Sequence, residues 1–85
     1  MEDIIKLRQE AKMLEPLVRI GKNGLTEGMI SEIKRILMKK RIVKIKMLRQ
    51  FFEGKDKKDL ASDIAEKTNS ILVESIGNTL VLCRK

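Results

Sequence analysis

The chain has no histidine, no tryptophan and no tyrosine, and it has one cysteine and one proline in 85 residues. Without histidine, the lone Cys83 has no partner for a zinc site or a Cys-His nucleophile, and it cannot form an internal disulfide. It is expected to behave as a small buried apolar residue. No apolar run approaches the roughly 18 residues that a membrane span needs. The opening "MEDIIKLRQE" is too charged to read as a secretory signal. These absences predict a cytoplasmic protein with no membrane partner, no cofactor and no catalytic group. At this length a chain forms one domain that buries only roughly 60% of its unfolded surface, so there is one modest core.

A further absence is local. Between Lys34 and Arg49 there is no Asp or Glu, while Lys34, Arg35, Lys39, Lys40, Arg41, Lys44, Lys46 and Arg49 all fall there. Those eight exceed the net charge of +7, so the rest of the chain is close to neutral. Capping a helix end explains two or three cations but not eight. A basic stripe on a domain with a sequence pI near 9.8 is the footprint expected for a polyanion.

Periodicity places these charges. Ile4, Leu7, Ala11 and Leu14 recur at helical spacing, which predicts a helix over about 3–14 that Pro16 prevents from continuing. "PLVRI" (16–20) reads as a short buried strand. Thr26 can cap a helix to about Lys39 or Lys40 with the stripe Ile30, Ile33, Ile36 and Leu37. In "RIVKIKML" (41–48), Val43, Ile45 and Met47 alternate with Lys44 and Lys46, so a strand should carry two lysines outward. Asp56 can cap a helix through Leu60, Ala61, Ile64 and Ala65 that ends near Thr68 and Asn69. "SILVESI" and "TLVLCR" flank Gly77-Asn78, a strong hairpin signal. The first strand of that pair has apolar residues on both faces and should be central or covered. The predicted order is α-β-α-β-α-β-β, an α+β domain without linker or repeat.

Between the first strand and the second helix lies Gly21-Lys22-Asn23-Gly24. Glycines at both ends allow positive φ and leave the backbone bare, so its N–H groups can approach a phosphate. Lys22 would add a mobile charge and Asn23 a hydrogen-bonding tip. The same four residues could simply turn the chain from strand to helix, and Glu27 would then already satisfy the helix dipole. Phe51 and Phe52 are the only aromatic residues. A platform that stacks several bases therefore cannot be built, Phe51 reading as core and Phe52 as loop cover or a single stacking contact.

The residues of "LEPLVRIGKNGLTEGMISEI", "IVKIK" and "IGNTLVL" together resemble the CRM domain of chloroplast RNA splicing and ribosome maturation, and in particular its free-standing single-domain prokaryotic members. The similarity spans nearly the whole chain. Cys83 departs from it, standing where the family often has tyrosine. The resemblance implies a mixed four-stranded sheet covered by helices, sandwich-like and similar to the C-terminal domain of translation initiation factor three. It also implies binding to structured RNA, either precursor large-subunit ribosomal RNA or an intron, by a protein expected to be a monomer. The expected RNA-binding residues are Gly21, Lys22, Asn23, Gly24, Lys34, Lys39, Lys40, Arg41, Lys44 and Lys46. Two other readings stay open at this level. A KH domain also uses an I-G-x-x-G loop, though between helices, and a nucleoid-type DNA binder would use the same cations.

Overall fold

The computed structural model describes residues 3–85. In chain order the elements are α1 (Ile4–Lys12), β1 (Val18–Ile20), α2 (Glu27–Lys40), β2 (Ile42–Met47), α3 (Arg49–Phe52), α4 (Lys57–Lys67), β3 (Ser70–Ile76) and β4 (Thr79–Arg84). Side-chain caps start the three longer helices. Asp3 accepts from the Ile5 N–H, Thr26 from Met29, and Asp56 from Lys58 and Asp59. α1 stops two residues short of the predicted Leu14. The Met13 and Leu14 N–H groups bond to Glu10 and Ala11 three residues back, tightening the last turn before Pro16 forbids another. α2 ends at Arg41, whose φ of 66° is the left-handed value more often given to glycine.

The strands form one sheet in the order β1-β2-β4-β3. β1 and β2, joined through α2, run parallel, and β4 is antiparallel to both its neighbours. The mixed four-stranded sheet with helices on it is the architecture expected. Of the two alternatives for β3, central or covered, the second holds: it lies at an edge but is covered on both faces, Leu72 packing on the larger core and Val73 under α1, while β4, with Leu80 to Cys83 all buried, is interior. A register shift between Leu72 and Glu74 leaves Val73 bulged, which accounts for apolar residues on both faces of an edge strand. The two-residue turn at Gly77-Asn78, with Gly77 at φ 57°, joins β3 to β4 as predicted.

Alternation divides the core between the two faces of the sheet. Val18, Ile20, Val43, Ile45, Met47, Leu80 and Leu82 meet Ile33 and Leu37 of α2, Phe51 of α3, and Ala61, Ile64 and Ala65 of α4. Each fully buried Ile, Leu or Met contributes about 1.5–3 kcal/mol, so this larger cluster holds the fold. On the other face, Leu7 and Ala11 of α1 cover Ile42, Val73, Val81 and Cys83. Cys83 is thus a small core residue, as its chemistry suggested. Two side chains beneath the end of α4 are polar and buried, and they satisfy each other. The Thr68 hydroxyl donates to the Ile64 carbonyl at 2.7 Å and lies 2.8 Å from the Ser70 hydroxyl.

α3 is not among the elements the sequence predicts. Its single turn is too short to show periodicity, and what fixes it is the burial of Phe51 against the larger core. α1 packs against β2 and β3, and on the same face at the ends of β1 and β2 Arg19 is exposed and Lys46 half-buried. That end of the sheet positions the candidate site.

Candidate nucleic-acid interface

The Ile20 carbonyl accepts the Leu48 N–H at 2.8 Å, so the chain leaves β1 still held against β2. The next four residues form a tight turn in which the Gly24 N–H donates to the Gly21 carbonyl at 3.0 Å. Lys22 and Asn23 occupy its exposed tip, and among the described residues their N–H groups donate to no acceptor. Gly24 has φ 71°, which strains any residue with a Cβ. Gly21 does not. A Cβ there would meet only the Leu48 Cδ1 at 3.5 Å, an ordinary contact. The expectation of positive φ at both glycines therefore holds for Gly24 alone. Thr26 and Glu27 already occupy the start of α2, so a bound anion would rely on the turn and its lysine.

Register builds the rest of this end. Arg19 of β1 stands opposite Lys46 of β2, and Lys46 stands opposite Thr79 of β4. Val18 and Ile20 point into the larger core, so alternation sends Arg19 to the other face together with Lys46. Arg19 is exposed and Lys46 half-buried. Arg19 is not among the RNA-binding residues the sequence predicts. The alternation within "LVRI" shows that it faces away from the core, but its neighbour Lys46 appears only once β1 and β2 are paired in parallel.

Lys44 does not reach outward as expected. It is half-buried beneath the end of α1, with its Nζ 3.4 Å from the Ala11 carbonyl. The aliphatic stem of such a lysine covers apolar surface while its head stays near water.

The remaining predicted cations lie elsewhere. Lys34, Lys39 and Lys40 are exposed on the C-terminal half of α2, and Arg41 follows them. The 14-residue α2 spans about 20 Å at 1.5 Å per residue, and the Gly-x-x-Gly turn precedes its first turn. The acid-free run is therefore not one continuous stripe in space. Part of it is also neutralised by acids from outside the run: Arg35 pairs with Glu32, Arg41 with Glu10 at 3.5 Å, and Arg49 with Glu53 at 3.2 Å. Phe51 is core and Phe52 packs at its edge, with the Lys57 ammonium 4.4 Å from its ring centre. Phe52 is thus covered on one face by a cation.

Fold and site together define a small basic α+β module in which a strand, a Gly-x-x-Gly turn and a helix place backbone amides and cations at one end of a mixed sheet. A strand leads into the turn, so the helix-flanked loop of a KH domain is not what is built here. Residues 2–84 match the CRS1 / YhbY (CRM) domain, and the chain belongs to that family. Among its relatives is "Probable RNA-binding protein YqeI" of Bacillus subtilis, 35% identical over 79 residues that cover 93% of this chain and 80% of that protein. A Haemophilus influenzae protein named "RNA-binding protein" is 35% identical over 92% of this chain and 77% of its own length. The solution structure of hypothetical protein SAV1595 from Staphylococcus aureus superposes with a TM-score of 0.78 at 36% identity, covering 96% of this chain and 83% of that one.

Proposed function

We propose that the domain binds structured RNA through the Gly21–Gly24 turn and the adjacent sheet surface, and that it acts as a non-enzymatic assembly factor on precursor large-subunit ribosomal RNA. Membership of the CRM family and the RNA-binding names of its relatives support the first part. The observation that carries it is that the exposed Lys22–Asn23 tip and the Arg19–Lys46 pair lie at the same end of the sheet. A turn with unused N–H groups beside cations on rigid strands suits phosphate and 2′-hydroxyl contacts, which read shape more than sequence. With few aromatics, the module holds an RNA fold rather than threading single bases across a stacking platform. In this reading it works as a cytoplasmic monomer.

Measuring affinity for an RNA hairpin across a salt series tests the binding reading. Log affinity should fall linearly with log salt, and the Lys22→Asp, Asn23→Asp double variant should bind weakly with a shallower slope and an unchanged melting temperature. Wild-type affinity in that variant would refute it, and equal affinity for duplex DNA of the same length would favour a DNA partner. The assembly role predicts that the protein cosediments with large-subunit precursors in a low-salt sucrose gradient. Recovery only in the ribosome-free fraction would exclude that role.

A further inference from the structure

The cations at the far end of α2 border a groove that the Gly-x-x-Gly turn does not share. It is a shallow, open groove of about 230 Å³ between α2, the α4–β3 corner and the end of β4, lined by Lys34, Leu37, Met38, Thr68, Asn69 and Arg84. Met38 leaves 74% of its surface in water. The Arg84 guanidinium donates to the Met38 carbonyl at 2.8 Å, which fixes it across the end of the helix with further N–H groups to spare. On the opposite side Asn69 adopts φ 53°, and the Lys85 ammonium lies 3.0 Å from its Oδ1. No carboxylate pairs with Lys34, Arg84 or Lys85 among the described residues.

Two lining cations, Lys34 and Arg84, with the exposed Met38 side chain and the Asn69 carboxamide between them, match the parts of one nucleotide. The cations suit phosphates, the Met38 thioether suits the face of a base, and the Asn69 amide suits a base edge. The groove is smaller than the roughly 300–1,000 Å³ pockets that enclose a drug-sized ligand. A paired base cannot offer its face, so the occupant must be unstacked. We propose that this groove is a second RNA site that takes a single-stranded nucleotide, so that one domain holds a structured element at the turn and an unpaired flank at the far end of the sheet. The inference rests on the RNA-binding reading above but uses none of the same residues. The two sites lie about 20 Å apart by the length of α2, a span that a few extended nucleotides can bridge.

The test uses the full chain and two probes: a ten-nucleotide oligouridine carrying a central 4-thiouridine, and a blunt RNA hairpin. The groove variant is Met38→Ala with Asn69→Gly, glycine being chosen because it keeps the positive φ while removing the amide. Oligouridine affinity should fall about fivefold or more, as expected from losing one sulfur–base contact and one hydrogen bond. Hairpin affinity should change less than twofold. Photocrosslinks from the oligouridine should map to the Lys34–Met38 and Thr68–Asn69 peptides in the wild type and in the Lys22→Asp, Asn23→Asp variant. Undiminished oligouridine affinity in the groove variant, or crosslinks confined to the turn, would overturn the proposal. If the groove variant melts early, Lys34→Gln, a single exposed change, decides by the same two affinities. Hairpin binding that ignores the turn variant would defeat the earlier reading and leave this one standing. Loss of both probes from the wild type would defeat both.

Discussion

The two ends of the sheet carry similar charge in different ways. At the turn end, Arg19 and Lys46 project from paired strands, and Lys22 sits on a turn closed by its own hydrogen bond. At the far end the cations ride on the exposed surface of α2 and the tail of β4, and some neighbouring arginines are already matched, Arg35 by Glu32 and Arg41 by Glu10. Density of charge along a sequence is therefore a poor guide to density in space. A helix and a strand laid end to end carry a 16-residue run past both ends of one sheet, and acids outside the run neutralise parts of it. Rigid backbone at one end suits a folded partner of fixed shape, whereas a groove edged by the exposed Met38 suits one that adapts.

The comparison can be broken outright by removing what joins the two ends. Ile45 is wholly buried at the centre of β2, so Ile45→Ala should cost about 2–5 kcal/mol by chemical denaturation and reduce RNA binding at both ends together. The next largest effect separates the two glycines of the turn. Gly24→Val should cost roughly 1–3 kcal/mol, because φ 71° is strained for a β-branched residue, whereas Gly21→Ala should stay within about 0.5 kcal/mol by thermal melting. Equal losses at both positions would show that Gly21 too is needed for its backbone.

Within the second strand the comparison sharpens to neighbouring lysines. Lys46→Glu should weaken hairpin binding about tenfold at low salt, since it reverses a charge beside Arg19. Lys44→Glu should lower stability more than affinity, because its stem packs beneath α1 and its ammonium approaches the Ala11 carbonyl. A melting curve and a binding isotherm for each variant distinguish these outcomes. The smallest effect is expected at Glu32→Gln, which frees Arg35 on the surface of α2. Stability should move by less than about 0.5 kcal/mol, and RNA affinity should rise slightly if the far end meets phosphate.

What the sequence determined by itself was local. The caps at Thr26 and Asp56, the apolar alternation of "IVKIK" and the turn at Gly77-Asn78 each arise from residues within a few positions of one another and appear where the pattern placed them, and the first helix stops before Pro16, two residues earlier than its periodicity suggests. The tertiary structure decided everything that depends on strands distant in the chain. Only pairing could put β3 at an edge, bring Arg19 beside Lys46, slide Lys44 under α1 and join Met38 to Asn69 and Arg84 across a groove. The reason is that neighbours in a sheet are chosen by which apolar faces can share one core. Here Leu80 and Leu82 of the last strand fill the space between the helices and the second strand, a choice that no short stretch of the chain contains.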